Sequence, residues 1–139
     1  MRSINEIQEE IIDEFEMFDD WMQKYEYMID LGKTLPQIAE EKKTDSRLIK
    51  GCQSKVWLDA DYKDGKVIYT ADSDAIITKG IIALLLRVFS NQTPEAILNT
   101  NMEFIDKIGL KEHLSPTRAN GLVSMIKQLK LYALAYQSN

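Results

Sequence analysis

Apolar residues recur at spacings of three and four along most of this chain and change to a loose alternation in one short stretch. Ile4, Ile7, Ile11, Phe15 and Phe18 form the first series, which predicts an amphipathic helix. Ser3 and Glu6 make a capping box at its start, each side chain able to satisfy a backbone donor of the other residue. Glu6, Glu9, Glu10, Asp13, Glu14 and Glu16 fill the opposite side. This is most simply a solvated face, the alternative being a surface for a basic partner. Asp19 or Asp20 restarts a helix carrying Trp21, Tyr25, Met28 and Ile29, with Gly32 expected at its C′ position. Leu35-Pro36 breaks it, and the polar run from Pro36 to Asp45 reads as a surface connection.

The alternation lies between Val56 and Ala71. Val56–Tyr62 and Lys66–Ala71 are rich in β-formers and are joined by Asp64-Gly65, a strong hairpin signal. A third strand is expected near Leu48-Ile49. The helical spacing then returns. Asp72-Ser73-Asp74 is expected to cap a long helix over Ala75–Phe89, apolar most of the way round and so buried. Gly80 inside it costs roughly 1 kcal/mol against Ala, which close approach of another backbone would offset. Thr93-Pro94 and Ser115-Pro116 each present a cap followed by proline at the first helical position. Phe104, Ile105 and Ile108 suggest a short helix ended by Gly109. Met125, Leu129, Tyr132 and Tyr136 give the last helix an apolar stripe, widened by Leu122, Ile126 and Ala133. One α+β domain spanning residues 1–139 is the economical arrangement, with a small antiparallel three-stranded sheet packed against helices.

The 139 residues suffice for a domain that buries about two-thirds of its unfolded surface. Apolar residues make up 45% and charged residues 28%, ordinary for a soluble protein. No run of about 18 apolar residues points to a membrane-spanning helix, and the N-terminus is too acidic downstream for a secretion signal. A cytoplasmic location is expected. The net charge of −5 leaves no basic stripe for nucleic acid. One cysteine and one histidine exclude an internal disulfide and a closed zinc site, so no metal is expected.

The remaining chemistry centres on Cys52. It stands in Ile49-Lys50-Gly51-Cys52-Gln53-Ser54-Lys55-Val56-Trp57, just before a strand. Gly51 admits positive φ at little cost, and Gln53 and Ser54 are polar. Lys50, Lys55 and nearby Arg47 suggest a basic setting that favours thiolate over thiol. A lone cysteine is more commonly a small buried hydrophobe, and both readings stand on the residues alone. His113 is the one candidate base for a hydrolytic dyad, the alternative being a local hydrogen bond at a helix entry. There is no second cysteine to resolve a disulfide and no set of thiolates to hold a cluster. Asp72 and Asp74 are a close pair of carboxylates, a pattern more often capping than catalytic. A single thiol can, unaided, carry a group covalently: it can take the outer sulfur of a persulfide by the logic of thiol–disulfide exchange.

Gly51-Cys52-Gln53-Ser54-x-Val56-Trp57 resembles the sulfur-accepting loop of SufE-type proteins. The likeness continues in Trp21-x-x-Lys24-Tyr25-x-Tyr27-x-Ile29-x-Leu31-Gly32 with Leu35-Pro36, and in Ala71-Asp72-Ser73-Asp74-Ala75 with Lys79-Gly80. It extends through Thr93-Pro94-Glu95-x-Ile97 and Gly109-Leu110-x-x-His113-Leu114-Ser115-Pro116-x-Arg118-x-x-Gly121-Leu122, so it runs from about Trp21 to Ala135. The resemblance implies a two-layer α+β domain with a small antiparallel sheet, a fold shared with NifU-type scaffolds. It implies a sulfurtransferase-type carrier rather than a stand-alone enzyme, which takes persulfide sulfur from a SufS- or CsdA-like cysteine desulfurase and stimulates it for iron–sulfur cluster assembly. The chain itself would hold no cofactor, the pyridoxal phosphate being the desulfurase's. Cys52 carries over as acceptor, Arg118 as an electrostatic helper near the thiol and Asp74 as a loop-positioning residue. Gly51, Gln53 and His113 match the motifs without assigned chemistry. A downstream cluster scaffold and a homodimer are left open. Lys55 stands where the family usually has glutamine and Leu48 where it has valine or isoleucine, and the acidic first helix matches weakly. The rival reading is a non-catalytic protein-binding module with a structural cysteine.

Overall fold

The computed structural model describes residues 3–52, 54–101 and 103–137. Helix α1 (Ile4–Glu16) opens on the expected box: Ser3 Oγ accepts from the Glu6 amide at 3.2 Å, and the Glu6 carboxylate faces the Ser3 amide. It buries Ile4, Ile7, Ile11, Ile12 and Phe15. Its acidic side is not wholly solvated, because Glu14 forms a bidentate ion pair with Arg87 and accepts the Tyr27 hydroxyl. Asp20 caps α2 (Trp21–Gly32) by accepting from the Gln23 amide at 2.8 Å.

Gly32 is not the left-handed C′ residue the spacing suggests. It is the last helical residue, with Lys33 following in right-handed geometry. Its use is proximity: a Cβ there would lie 3.1 Å from the Gly80 nitrogen, and one on Gly80 would collide with the Met28 carbonyl. The two glycines let α2 cross α3 (Ile76–Phe89) with backbones in contact, which is the compensation expected for Gly80.

Strands β1 (Val56–Lys63) and β2 (Lys66–Ser73) pair antiparallel from Val56↔Ser73 to Lys63↔Lys66. Asp64 and Gly65 turn the hairpin at φ +54° and +79°, as a type I′ turn requires. Val56, Leu58 and Ala60 alternate inward on β1, and Val67, Tyr69 and Ala71 on β2. The third strand expected at Leu48-Ile49 is only an isolated bridge, Leu48↔Trp57, with the Ile49 amide donating to Val56 O at 2.9 Å. The physical reason lies in α7 (Pro116–Gln137). The hydroxyls of Tyr132 and Tyr136 donate to Leu58 O and Ala60 O at 2.9 and 2.8 Å, using the edge carbonyls a longer third strand would have taken. On the other edge, the Pro36–Ile38 segment pairs with Ala71, so the expected surface connection is partly a sheet edge, with Ile38 buried.

Helix α3 is the hub, packed by β2, α1, α2 and α7. Three short helices, α4 (Pro94–Asn99), α5 (Glu103–Lys107) and α6 (Leu110–His113), lead to α7. Thr93 caps α4 and Gly109 turns the chain at φ +76°, both as expected. Tyr69 reaches from the sheet to donate to Leu129 O at 2.6 Å. The result is a two-stranded sheet packed against helices, with the first turns of α3 and α7 side by side at one end. No helix of the described residues is long and apolar enough to cross a membrane.

Candidate functional site

Cys52 lies in the loop between the Leu48 bridge and β1. The loop is pinned at both feet. At one, the Ile49 amide donates to Val56 O. At the other, Lys55 is held through its backbone: its amide donates to Asp74 Oδ1 at 3.0 Å, and its carbonyl accepts from the Asp74 amide and the Ser73 hydroxyl. Gly51 turns the chain between them at φ +91°, the left-handed region that favours glycine.

These bonds correct the expected cap of α3. Asp74 is committed to the cysteine loop, and Asp72 pairs with Lys43 at 2.7 Å and Lys79 at 3.3 Å. Burial opposes the charge of Asp72, but Lys43, the Ser73 amide and Lys79 outweigh it and hold its carboxyl below its usual value. Ser73 Oγ accepts from the Ala75 amide at 3.3 Å, but Ala75 is the N-cap residue, and α3 starts without a side-chain cap.

The loop delivers the Cys52 side chain to the junction of α3 and α7. Its thiol donates to Gly121 O, with sulfur and oxygen 3.7 Å apart. Thr78 and Ile81 of α3 border the thiol on one side, and Thr117, Arg118, Gly121 and Met125 of α7 on the other, around a cavity of about 60 Å³. A Cβ on Gly121 would stand 3.5 Å from the sulfur, so glycine there keeps a side chain out of this space.

The electrostatics differ from the sequence expectation. The lysines beside Cys52 in sequence, Lys50 and Lys55, are exposed, and Arg47 is spent on Asp59 at 3.1 Å. Burial pushes the Cys52 thiol up, not down. Proximity along the chain is not proximity to the sulfur. Arg118, in contrast, reaches the cavity from a distant segment, with only its backbone amide bonded, to Ser115 Oγ.

His113 is placed elsewhere. Its Nδ1 lies 2.8 Å from Gly109 O and its ring stacks on Trp21 at 4.0 Å; it does not line the Cys52 cavity. Gln53 lies outside the described residues. The site therefore unites Cys52, Gly51, Arg118 and, through the loop's foot, Asp74. Sequence reasoning did not single out Thr78, and it met Ser54 and Gly121, which also line the cavity, only as motif residues without a role at the thiol. A glycine early in a long helix, at a cost against alanine, was the available signal for Gly121. Among the described residues no group of three His, Cys, Asp or Glu side chains is arranged to hold a metal.

The family model "SufE: Fe-S metabolism associated domain" matches residues 9–133. This chain belongs to the SufE family, and so to a class of domains associated with iron–sulfur metabolism. The match begins within α1, earlier than the motifs alone suggest. Among curated relatives, uncharacterized SufE-like proteins of Rhizobium meliloti (strain 1021) and Rhizobium etli are 40% and 41% identical over 127 residues, covering 88% of this chain and 91% and 86% of theirs. One from Synechocystis is 38% identical, covering 91% of this chain and 80% of its own. The solution structure of a hypothetical protein from Thermus thermophilus superimposes with a TM-score of 0.80 at 19% identity, over 96% of this chain and 97% of that one. That likeness concerns the fold.

Proposed function

We propose that this protein accepts persulfide sulfur on Cys52 from a pyridoxal-phosphate-dependent cysteine desulfurase and carries it, in the cytoplasm, toward iron–sulfur cluster assembly, raising the desulfurase's turnover as it does so. The observation that carries this reading is the seat of the chain's one cysteine. The thiol is half-buried beside a cavity with room for about one or two further atoms, since a water claims about 30 Å³ in the liquid. Membership of the SufE family supports the same reading.

The transfer is an exchange between sulfurs. The Cys52 thiolate attacks the outer sulfur of the desulfurase persulfide. A new S–S bond forms at Cys52 as the donor's S–S bond breaks, and the donor cysteine leaves as the thiolate and takes the proton that Cys52 gave up. Delivery repeats the step toward the next acceptor. At rest the raised pKa and the bond to Gly121 O hold Cys52 as the thiol, sheltered from oxidation. Docking draws it out on a short loop whose feet stay fixed at Val56 and Asp74. The pyridoxal phosphate belongs to the desulfurase and does its chemistry there.

The test is Cys52→Ser, an isosteric change that leaves the fold intact. It is expected to abolish both sulfur acceptance and stimulation of desulfurase turnover. Stimulation retained by Cys52→Ser would contradict covalent transfer and favour a binding module.

A further inference from the structure

Thr78 is 5% exposed, yet its hydroxyl has no hydrogen-bond partner among the described residues. Other threonines here behave differently. Thr34 and Thr100 donate to the carbonyls of Leu31 and Ala96, both at 2.7 Å. Among the described residues the one fully enclosed side-chain polar atom without a partner is Trp21 Nε1, so the Thr78 hydroxyl keeps some accessible surface at which a further partner can reach it. Thr78 lines the cavity that Cys52 and Arg118 share. Arg118 is an exposed residue, and its guanidinium has no protein partner among the described residues. The Cys52 thiol engages neither group, being turned to Gly121 O. One donor thus comes from the first turn of α3 and one from the first turn of α7, where the positive ends of both helix dipoles favour an anion.

We propose that Thr78 and Arg118 form a cradle for the terminal sulfur of a Cys52 persulfide, Thr78 donating its O–H to that sulfur and Arg118 facing its charge. The inference rests on the sulfur-acceptor reading and adds to it a residue that retains the cargo. A persulfide extends from Sγ by one atom, the increment the cavity admits, and it is a stronger acid than a thiol, so near neutral pH its outer sulfur is an anion. The protonated resting thiol offers Thr78 no such acceptor, which accounts for a hydroxyl left idle in the unloaded protein.

The cradle is tested without a desulfurase. An activated mixed disulfide on Cys52 is displaced by hydrosulfide: the bond to the activating thiol breaks, the Cys52 Sγ–S bond forms, and the activating thiolate leaves. Loss of the added sulfur to a fixed concentration of a small thiol is then followed by intact mass. Thr78→Val keeps the shape and removes the hydroxyl, and Thr78→Ser restores it. The persulfide is expected to be lost about tenfold faster from Thr78→Val, the weight of one hydrogen bond to a charged group, and at the native rate from Thr78→Ser. Urea unfolding in parallel separates this from a stability effect, and Thr78→Ala replaces Thr78→Val if the latter does not fold. Equal lifetimes for the native protein and the hydroxyl-free variant would overturn the cradle. A native protein that holds the chemically made persulfide but takes none from any desulfurase would instead count against the acceptor reading.

Discussion

The thiol of Cys52 donates to the carbonyl of Gly121 across 3.7 Å, and a Cβ at Gly121 would stand in contact with the sulfur at 3.5 Å. A loop before the sheet and a turn of the last helix thereby define one chemical position. The helix accepts a glycine, at about 1 kcal/mol against alanine, where the sulfur needs room. Gly121→Ala is expected to raise stability by about 0.5–1 kcal/mol, because its Cβ would only touch the sulfur at 3.5 Å. It is also expected to lower sulfur loading, because the methyl group takes cavity volume. Urea unfolding and intact-mass loading read the two effects separately.

Asp74 acts on Cys52 at a distance, through Lys55. Asp74→Ala leaves the Lys55 amide without its carboxylate acceptor. The expected cost is about 1 kcal/mol, with faster alkylation of Cys52 in the folded protein as the loop's foot loosens. Asp74→Asn, which keeps an oxygen acceptor, should restore most of the slow rate. Alkylation equally slow in Asp74→Ala would show that the foot does not govern access to the thiol.

The titration of Cys52 has a definite sign. Burial raises the folded thiol above its ordinary value. The stability this contributes is therefore fully present below the unfolded value of about 8.5 and is lost as pH rises through the folded one. Alkylation rates followed against pH should show an inflection in the folded protein above that of the urea-unfolded chain. An inflection below it would mean that the basic residues of the loop do reach the sulfur.

Gly80 makes a prediction of the opposite sign to Gly121. Gly80→Ala also gains helix propensity, but its Cβ meets the Met28 carbonyl, a backbone group that cannot step aside as a side-chain end can. A loss of about 1–3 kcal/mol, the range for overpacking, is expected in urea unfolding.

These two glycines show what the sequence carries and what it does not. Gly80 is legible because its helix is so apolar that only a close backbone neighbour explains a glycine there. The Ser3–Glu6 box, the Thr93-Pro94 start and the Asp64-Gly65 turn are legible because each is decided within a few residues. The third strand is not, because Tyr132 and Tyr136, far along the chain, take the carbonyls it would have used. Asp72-Ser73-Asp74 misleads because a polar triplet before a helix fits a cap as well as it fits the ion pairs and loop anchor that tertiary contacts select. The thiol's protonation misleads for a similar reason. Lysines adjacent in sequence point to solvent, while burial between α3 and α7 sets the balance. Thr78 draws no notice in the sequence because a threonine in an apolar helix stands out only once the cavity beside it is seen.

The central claim, that Cys52 is a sulfur acceptor, is tested most directly by intact mass after incubation with a cysteine desulfurase, pyridoxal phosphate and free cysteine. The account predicts a gain of one sulfur atom that is removed by reduction and absent from Cys52→Ser. No gain with any of a range of desulfurases, or an equal gain in Cys52→Ser, would contradict it.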